Sequence, residues 1–168
     1  NLRRPLGQIV SEIQSIIDCP PKEHFIKKGL EDTIYISLNV VHKDKLIDFV
    51  TKNCDISDKT ISCQHLTQVF LGKKNTSSIE VVESGELCMV QIDALVVNKE
   101  NGSAAFRITD LQTSKGKEIC VESGVPHITA LISSDSRPID SIKFVSKTND
   151  SVEIIPFTEK IETICVWN

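Results

Sequence analysis

The chain lacks a basic excess, paired cysteines, abundant aromatics and any long apolar run, and each absence removes a class of function. Lys and Arg number 19 against 23 Asp and Glu, a net charge of −4. A domain that grips a long nucleic acid by itself is usually basic, so this balance suits a small molecule or the end of a polymer held elsewhere. An aromatic content of 5% argues against a broad base-stacking platform. Cys19, Cys54, Cys63, Cys88, Cys120 and Cys165 are spread singly, with no C-x-x-C, which argues against a zinc site. No apolar run is long enough to span a bilayer, and Leu2-Arg3-Arg4-Pro5 does not read as a secretory signal. The first residue is Asn, and the expectation is a piece of a longer protein.

What is present fits one domain. A chain of 168 residues with 40% apolar content supports one packed core, or two small lobes sharing one. An even number of cysteines leaves a disulfide framework open. Cys88 and Cys165, however, lie in apolar strands, where a free thiol acts as a small hydrophobe. The N-x-S/T patterns at Asn75, Asn101 and Asn149 arise readily by chance in a chain rich in Ser and Thr. The reading is reduced thiols and an intracellular protein, cytoplasmic or nuclear. Lys27-Lys28, Lys73-Lys74 and Lys115/Lys117 read as solvated loop charges.

Residues 5–18 predict an amphipathic helix, with Leu6, Ile9, Val10, Ile13, Ile16 and Ile17 at helical spacing and Cys19-Pro20-Pro21 ending it. Residues 33–41 alternate cleanly as a strand: Ile34, Ile36, Leu38 and Val40 on one face; Thr33, Tyr35, Ser37 and Asn39 on the other. Residues 43–52 form a helix buried through Leu46, Ile47, Phe49 and Val50. Strands follow at 63–71, 79–82, 86–98, 103–111 and 126–132, with Asn101-Gly102 as a hairpin turn. A short helix at 138–147 and closing strands at 151–156 and 160–167 complete an α+β pattern with mainly antiparallel strands.

Two tripeptides of one form stand out, His65-Leu66-Thr67 and His127-Ile128-Thr129. In a strand, His and Thr two residues apart share a face while the Leu or Ile between them points to the core. Two copies predict two sheet halves, each offering an imidazole and a hydroxyl to a shared cleft. Paired imidazoles suit phosphodiester hydrolysis: one accepts a proton from the attacking water and the other protonates the departing oxygen. The threonines donate to phosphoryl oxygens as charge builds there. The residue types do not say which histidine is the base; the reading taken is His127 as base and His65 as acid. Tyr35 is a further candidate for substrate contact. Arg107 and Arg137 are weaker candidates for a phosphate, against ordinary exposed arginines. His24 and His42 lack the H-x-T setting and read as non-catalytic.

An H-x-T pair on strands in an α+β chain of this size resembles the two-histidine (2H) phosphoesterase superfamily. Residues 33–38, Thr-Ile-Tyr-Ile-Ser-Leu, look like its opening strand, and the next helix and the His65 strand come in its order. Within it, Gln64-His65-Leu66-Thr67 and Gly124-Val125-Pro126-His127-Ile128-Thr129 look most like the C-terminal cyclic phosphodiesterase domain of fungal tRNA ligases. The resemblance implies a bilobal, pseudo-twofold fold with two mainly antiparallel sheets flanking a cleft, the whole of residues 1–168 being one such domain. It implies catalysis by His65 and His127, phosphate binding by Thr67 and Thr129, and no metal or other cofactor. The implied reaction hydrolyses RNA 2′,3′-cyclic phosphate ends to a 3′-hydroxyl and a 2′-phosphate in tRNA splicing. The implied partners are the end of a tRNA 5′ exon half and covalently linked kinase and ligase modules upstream, with no membrane. Alternatives are another 2H enzyme acting on 2′,5′-oligonucleotides or small cyclic nucleotides, or a non-catalytic RNA-end or protein-binding module.

Overall fold

Alternating apolar residues dominate the chain, and the computed structural model accordingly consists mainly of antiparallel strands. It describes residues 25–26, 30, 32–72, 76–77 and 79–168. The expected helix at 5–18, with Cys19, Lys27-Lys28 and His24, lies outside them. The elements are β1 (Phe25–Ile26), β2 (Tyr35–Val40), α1 (Asp44–Asn53), β3 (Lys59–Ile61), β4 (His65–Phe70), β5 (Thr76–Ser77), β6 (Leu87–Asn98), β7 (Ala104–Thr113), β8 (His127–Ser133), a 3₁₀ helix (Pro138–Lys143) and β9 (Val152–Trp167). β1 and β5 form a separate two-stranded pair.

The other seven strands form one hydrogen-bonded sheet in the order β3-β8-β7-β6-β9-β2-β4. This corrects the expectation of two sheets: the halves are regions of one sheet, joined by β6 and β9. It also merges the two expected closing strands, since β9 runs unbroken through 16 residues. Pro156 is tolerated because the β6–β9 ladder shifts register there, between the pairs Ile92↔Glu159 and Ala94↔Pro156. Residues 79–82 are not a strand; Val81 and Val82 are buried without a ladder. The 138–147 helix is shorter than expected and of the 3₁₀ type.

The covalent chain forces the sheet to curl. β3 lies at one edge and β4 at the other, yet only residues 62–64 separate them. Four Cα–Cα steps reach at most about 14 Å, so the two edges must approach each other. Leaving out β3, the pairing order reads alike from either end: β8 corresponds to β4, β7 to β2 and β6 to β9.

The core lies on the face carrying Ile36, Leu38, Leu66, Ile92, Leu95, Phe106 and Ile128, all fully buried. α1 covers it with Leu46 and Val50, and its Phe49 ring lies 4.2 Å from the Phe157 ring, tilted by 40°, with Phe157 itself 5.4 Å from Phe106. Truncating a side chain like Phe106 to Ala costs about 3–5 kcal/mol. A second cluster of Val96, Ala105, Phe144, Val145 and Val152 lies beyond β6 and β7. Cys54, Cys63, Cys88 and Cys165 are free, and burial pushes the Cys63 and Cys165 thiols up to about 12. Cys120 is disulfide-bonded, which corrects the expectation of reduced thiols throughout. The hydrophobe argument held for cysteines inside strands, and Cys120 lies in the irregular stretch 118–126. Among the described residues no helix is long and apolar enough to cross a membrane.

Candidate active site

The two H-x-T tripeptides begin β4 and β8, at equivalent places in the sheet. Each strand carries one extra residue just after its threonine. β4 pairs Ser37↔Thr67 and then Ile36↔Val69, leaving Gln68 as the bulge. β8 pairs Ala105↔Thr129 and then Ala104↔Leu131, leaving Ala130. A bulge bends its strand and re-aims side chains. Both tripeptides consequently have the same burial pattern: a half-buried histidine, a buried Leu or Ile, a more exposed threonine, then two consecutive buried residues.

The lead-in to β4 is bonded directly to β8. The backbone N–H groups of Ser62 and Cys63 donate to the carbonyls of Ala130 (2.8 Å) and Thr129 (2.9 Å). This brings His65 and His127 together, and the proximity of His127 helps to hold the His65 pKa below the usual imidazole value, after the larger effect of burial. Burial also lowers the His127 pKa, opposed by a hydrogen bond to the Val125 carbonyl. That bond spans 2.8 Å from Nδ1. A carbonyl only accepts, so Nδ1 carries the hydrogen, and in the neutral ring the Nε2 lone pair is left to take a proton. Among the described residues the His65 ring has no hydrogen bond, and the Tyr35 ring stands 6.1 Å from it, tilted by 37°.

The threonines differ. Thr67 is exposed and its hydroxyl has no hydrogen bond among the described residues. Thr129 Oγ1 lies 3.1 Å from the Ser141 hydroxyl and donates to the Pro138 carbonyl over 3.3 Å. If the Ser141 hydroxyl donates to Thr129, the threonine hydrogen is free to turn from that long bond to a ligand.

Register identifies the immediate neighbours. Residues directly opposite on antiparallel strands share a face, which places Asn39 beside His65 and Arg107 beside His127. Ser37 Oγ donates to Asn39 Oδ1 over 2.7 Å, so the Asn39 amide hydrogens point elsewhere. Arg107 is held by Asp93, with Nε–Oδ1 and Nη2–Oδ2 both at 2.9 Å. Arg137 is exposed at the start of the 3₁₀ helix, near Asp140, and His42 is exposed in the turn before α1. Sequence reasoning placed Asn39 on the correct face without giving it a role, and missed Asp93, Ser141 and Gln68. Only the polar position of Asn39 in an alternating strand signalled it.

Gln68 fixes the first bulge. Fully buried, it donates to the carbonyls of Glu80 and Cys120 and accepts from the Val82 N–H, each over 3.1 Å. A surface cavity of about 700 Å³ lies between the β6–β7 turn and the 3₁₀ helix, among Lys99, Asn101, Asp140 and Lys143. It includes neither motif histidine, and the acid–base groups make the neighbouring His65 and His127 the better candidate. Among the described residues no group of three His, Cys, Asp or Glu side chains is placed to hold a metal ion. No family model, curated protein or solved structure matches the chain.

Proposed function

We propose that this domain hydrolyses RNA 2′,3′-cyclic phosphate ends to a 3′-hydroxyl and a 2′-phosphate, as in end healing before ligation during tRNA splicing, through a 2H phosphoesterase fold. One observation carries the reading: two H-x-T tripeptides occupy equivalent stations of a near-symmetric curled sheet, each followed by a one-residue bulge. A binding module needs no second proton-transfer group, whereas an in-line displacement needs a base on one side of phosphorus and an acid on the other.

The step assigned is balanced. Water attacks phosphorus and gives a proton to His127 Nε2 as the new P–O bond forms. The P–O3′ bond breaks, and His65 supplies a proton to O3′. Thr67 and Thr129 donate to the non-bridging oxygens. Both free imidazoles have lowered pKa values, so His65 needs help to hold its proton, and a phosphodiester anion in the cleft provides it. Tyr35 is assigned to the terminal nucleoside, which its place beside His65 supports. The net charge of −4 suits a domain that holds one terminal nucleotide while linked kinase and ligase modules hold the tRNA. A cytoplasmic or nuclear setting goes with this substrate; the four free thiols among the described residues support it and the disulfide-bonded Cys120 speaks against it.

The test is to incubate an oligoribonucleotide ending in a 2′,3′-cyclic phosphate with the protein in EDTA and resolve the product by phosphorus NMR. The expected product is the 2′-phosphate. A 3′-phosphate product would remove the tRNA-splicing reading while leaving a 2H hydrolase, and activity only on 2′,5′-linked oligonucleotides would favour the alternative enzyme.

A further inference from the structure

A cleft built from two near-equivalent halves presents a cyclic ester with two similar ways to lie, and a single product requires something that breaks the equivalence. The register supplies it. The residue opposite His65 is the neutral Asn39, and the residue opposite His127 is the cationic Arg107. Arg107 is also pre-set. Asp93 is left out of both ladders by a bulge in β6, which pairs Ile92 and then Ala94 with its neighbours on either side. The bulge turns the Asp93 carboxylate onto the guanidinium, in a bidentate pair with side-chain exposures of 27% for Arg107 and 34% for Asp93. Of the five N–H groups a guanidinium carries, the pair uses Nε–H and one on Nη2. Among the described residues the others have no acceptor. A half-buried guanidinium with fixed orientation and spare donors is a phosphate-binding group that loses little freedom when it binds.

We propose that Arg107, braced by Asp93, contacts the phosphoryl oxygens on the His127 side of the cleft and so dictates which way round the cyclic ester lies. This rests on the cyclic phosphodiesterase reading above. In the step as balanced there, the incoming water oxygen bonds to phosphorus on the His127 side, and the product gains a second negative charge beside Arg107. The arginine therefore binds the product phosphate directly. Asp93 is a positioning residue, since it acts through Arg107.

Removing Arg107 alone leaves Asp93 half-buried without its cation, which endangers folding. The test therefore uses the neutral double variant Arg107→Gln with Asp93→Asn, compared with wild type. Adenosine 2′,3′-cyclic monophosphate is the substrate, calorimetry measures the affinity for adenosine 2′-monophosphate, and chromatography measures the ratio of 2′- to 3′-phosphate product. The variant should bind the 2′-monophosphate about tenfold or more weakly and lose a similar factor in kcat/KM. It should also release a measurable share of 3′-phosphate, which a purely structural pair would not alter. In wild type the Arg107 Nε–H resonance should shift on adding the 2′-monophosphate but not on adding adenosine, a readout that needs no variant. A folded double variant with unchanged affinity and product ratio, or an unmoved resonance at saturation, would overturn the assignment and leave the cyclic phosphodiesterase reading standing. A wild-type protein that neither turns over the cyclic ester nor binds the 2′-monophosphate would overturn both.

Discussion

Cys63 donates its backbone N–H to the carbonyl of Thr129 over 2.9 Å, so the residue leading into one H-x-T strand is hydrogen-bonded to the threonine of the other. The chain leaves β3, which pairs with β8, and enters β4 by a turn at Cys63, whose φ of 57° is left-handed. A side chain other than glycine holds that conformation at a cost of about 1–3 kcal/mol, and the surrounding hydrogen bonds and burial must offset it. The two motif strands are thus one unit, coupled through backbone rather than through the histidines.

That turn can be tested by stability. Cys63→Gly accepts the left-handed φ and keeps the N–H, but leaves a small void in the core. Strain relief and cavity cost should nearly cancel, within about 1 kcal/mol. Cys63→Val adds a β-branched side chain that the conformation disfavours and should cost about 2 kcal/mol or more. Urea unfolding midpoints check this; equal midpoints for the two variants would show that the φ of residue 63 does not govern this site.

The histidine pair should behave as a unit. His65→Ala and His127→Ala should each lower the turnover of a 2′,3′-cyclic nucleotide by about two orders of magnitude or more. The double variant should fall little further than the worse single one, because a missing acid or base already disables the other. His42→Ala should stay near wild type. Steady-state kinetics on the four proteins decides it, and an effect of His42 as large as that of His65 would move the site.

The pH dependence follows from the direction of the shifts. Burial lowers the pKa values of His65 and His127 below the usual 6.5. In the free enzyme the base must be neutral and the acid protonated, so kcat/KM should peak below about pH 6.5. For stability, the unfolded chain binds protons at these histidines in a range where the native state does not. The native state therefore loses stability as pH falls below about 6.5, until the lowered native values are reached. Replacing both residues with Asn should flatten the change in denaturation midpoint between about pH 7 and pH 5. An unchanged slope would mean that the rings are not desolvated in solution.

Gln68 should matter more for folding than its surroundings in sequence suggest. Its three bonds tie the β4 bulge to residues 80, 82 and 120. Gln68→Leu removes all three and buries an apolar group against backbone polar atoms, at about 1–3 kcal/mol for each group left unsatisfied. A total loss of about 3 kcal/mol or more is expected from urea denaturation, while Gln68→Glu should be tolerated no better because burial penalises the charge. A loss below about 1 kcal/mol would show that water replaces the side chain.

Much of the strand framework was legible because its signals are local. The alternation in residues 33–41, the apolar stripe of α1 and the turn at Asn101-Gly102 depend on residues a few places apart, and β2, α1 and the β6–β7 hairpin form where those patterns stand. β3 was not legible, since three residues, Lys59–Ile61, give too little periodicity to read. The split expected between residues 156 and 160 is absent from β9, because a register shift in the facing ladder accommodates Pro156.

The sequence by itself determined that His65, Thr67, His127 and Thr129 share faces within their strands, because side-chain alternation is a property of the strand alone. It also determined that Leu66 and Ile128 face the core. Only the tertiary structure decided that the two tripeptides meet, that one continuous sheet carries both, and that Asn39 stands beside one histidine while Arg107 and Asp93 stand beside the other. Those relationships depend on which strands pair, in what register, and where the bulges fall. They come from closing long loops between residues far apart in the chain, and no short-range pattern encodes them.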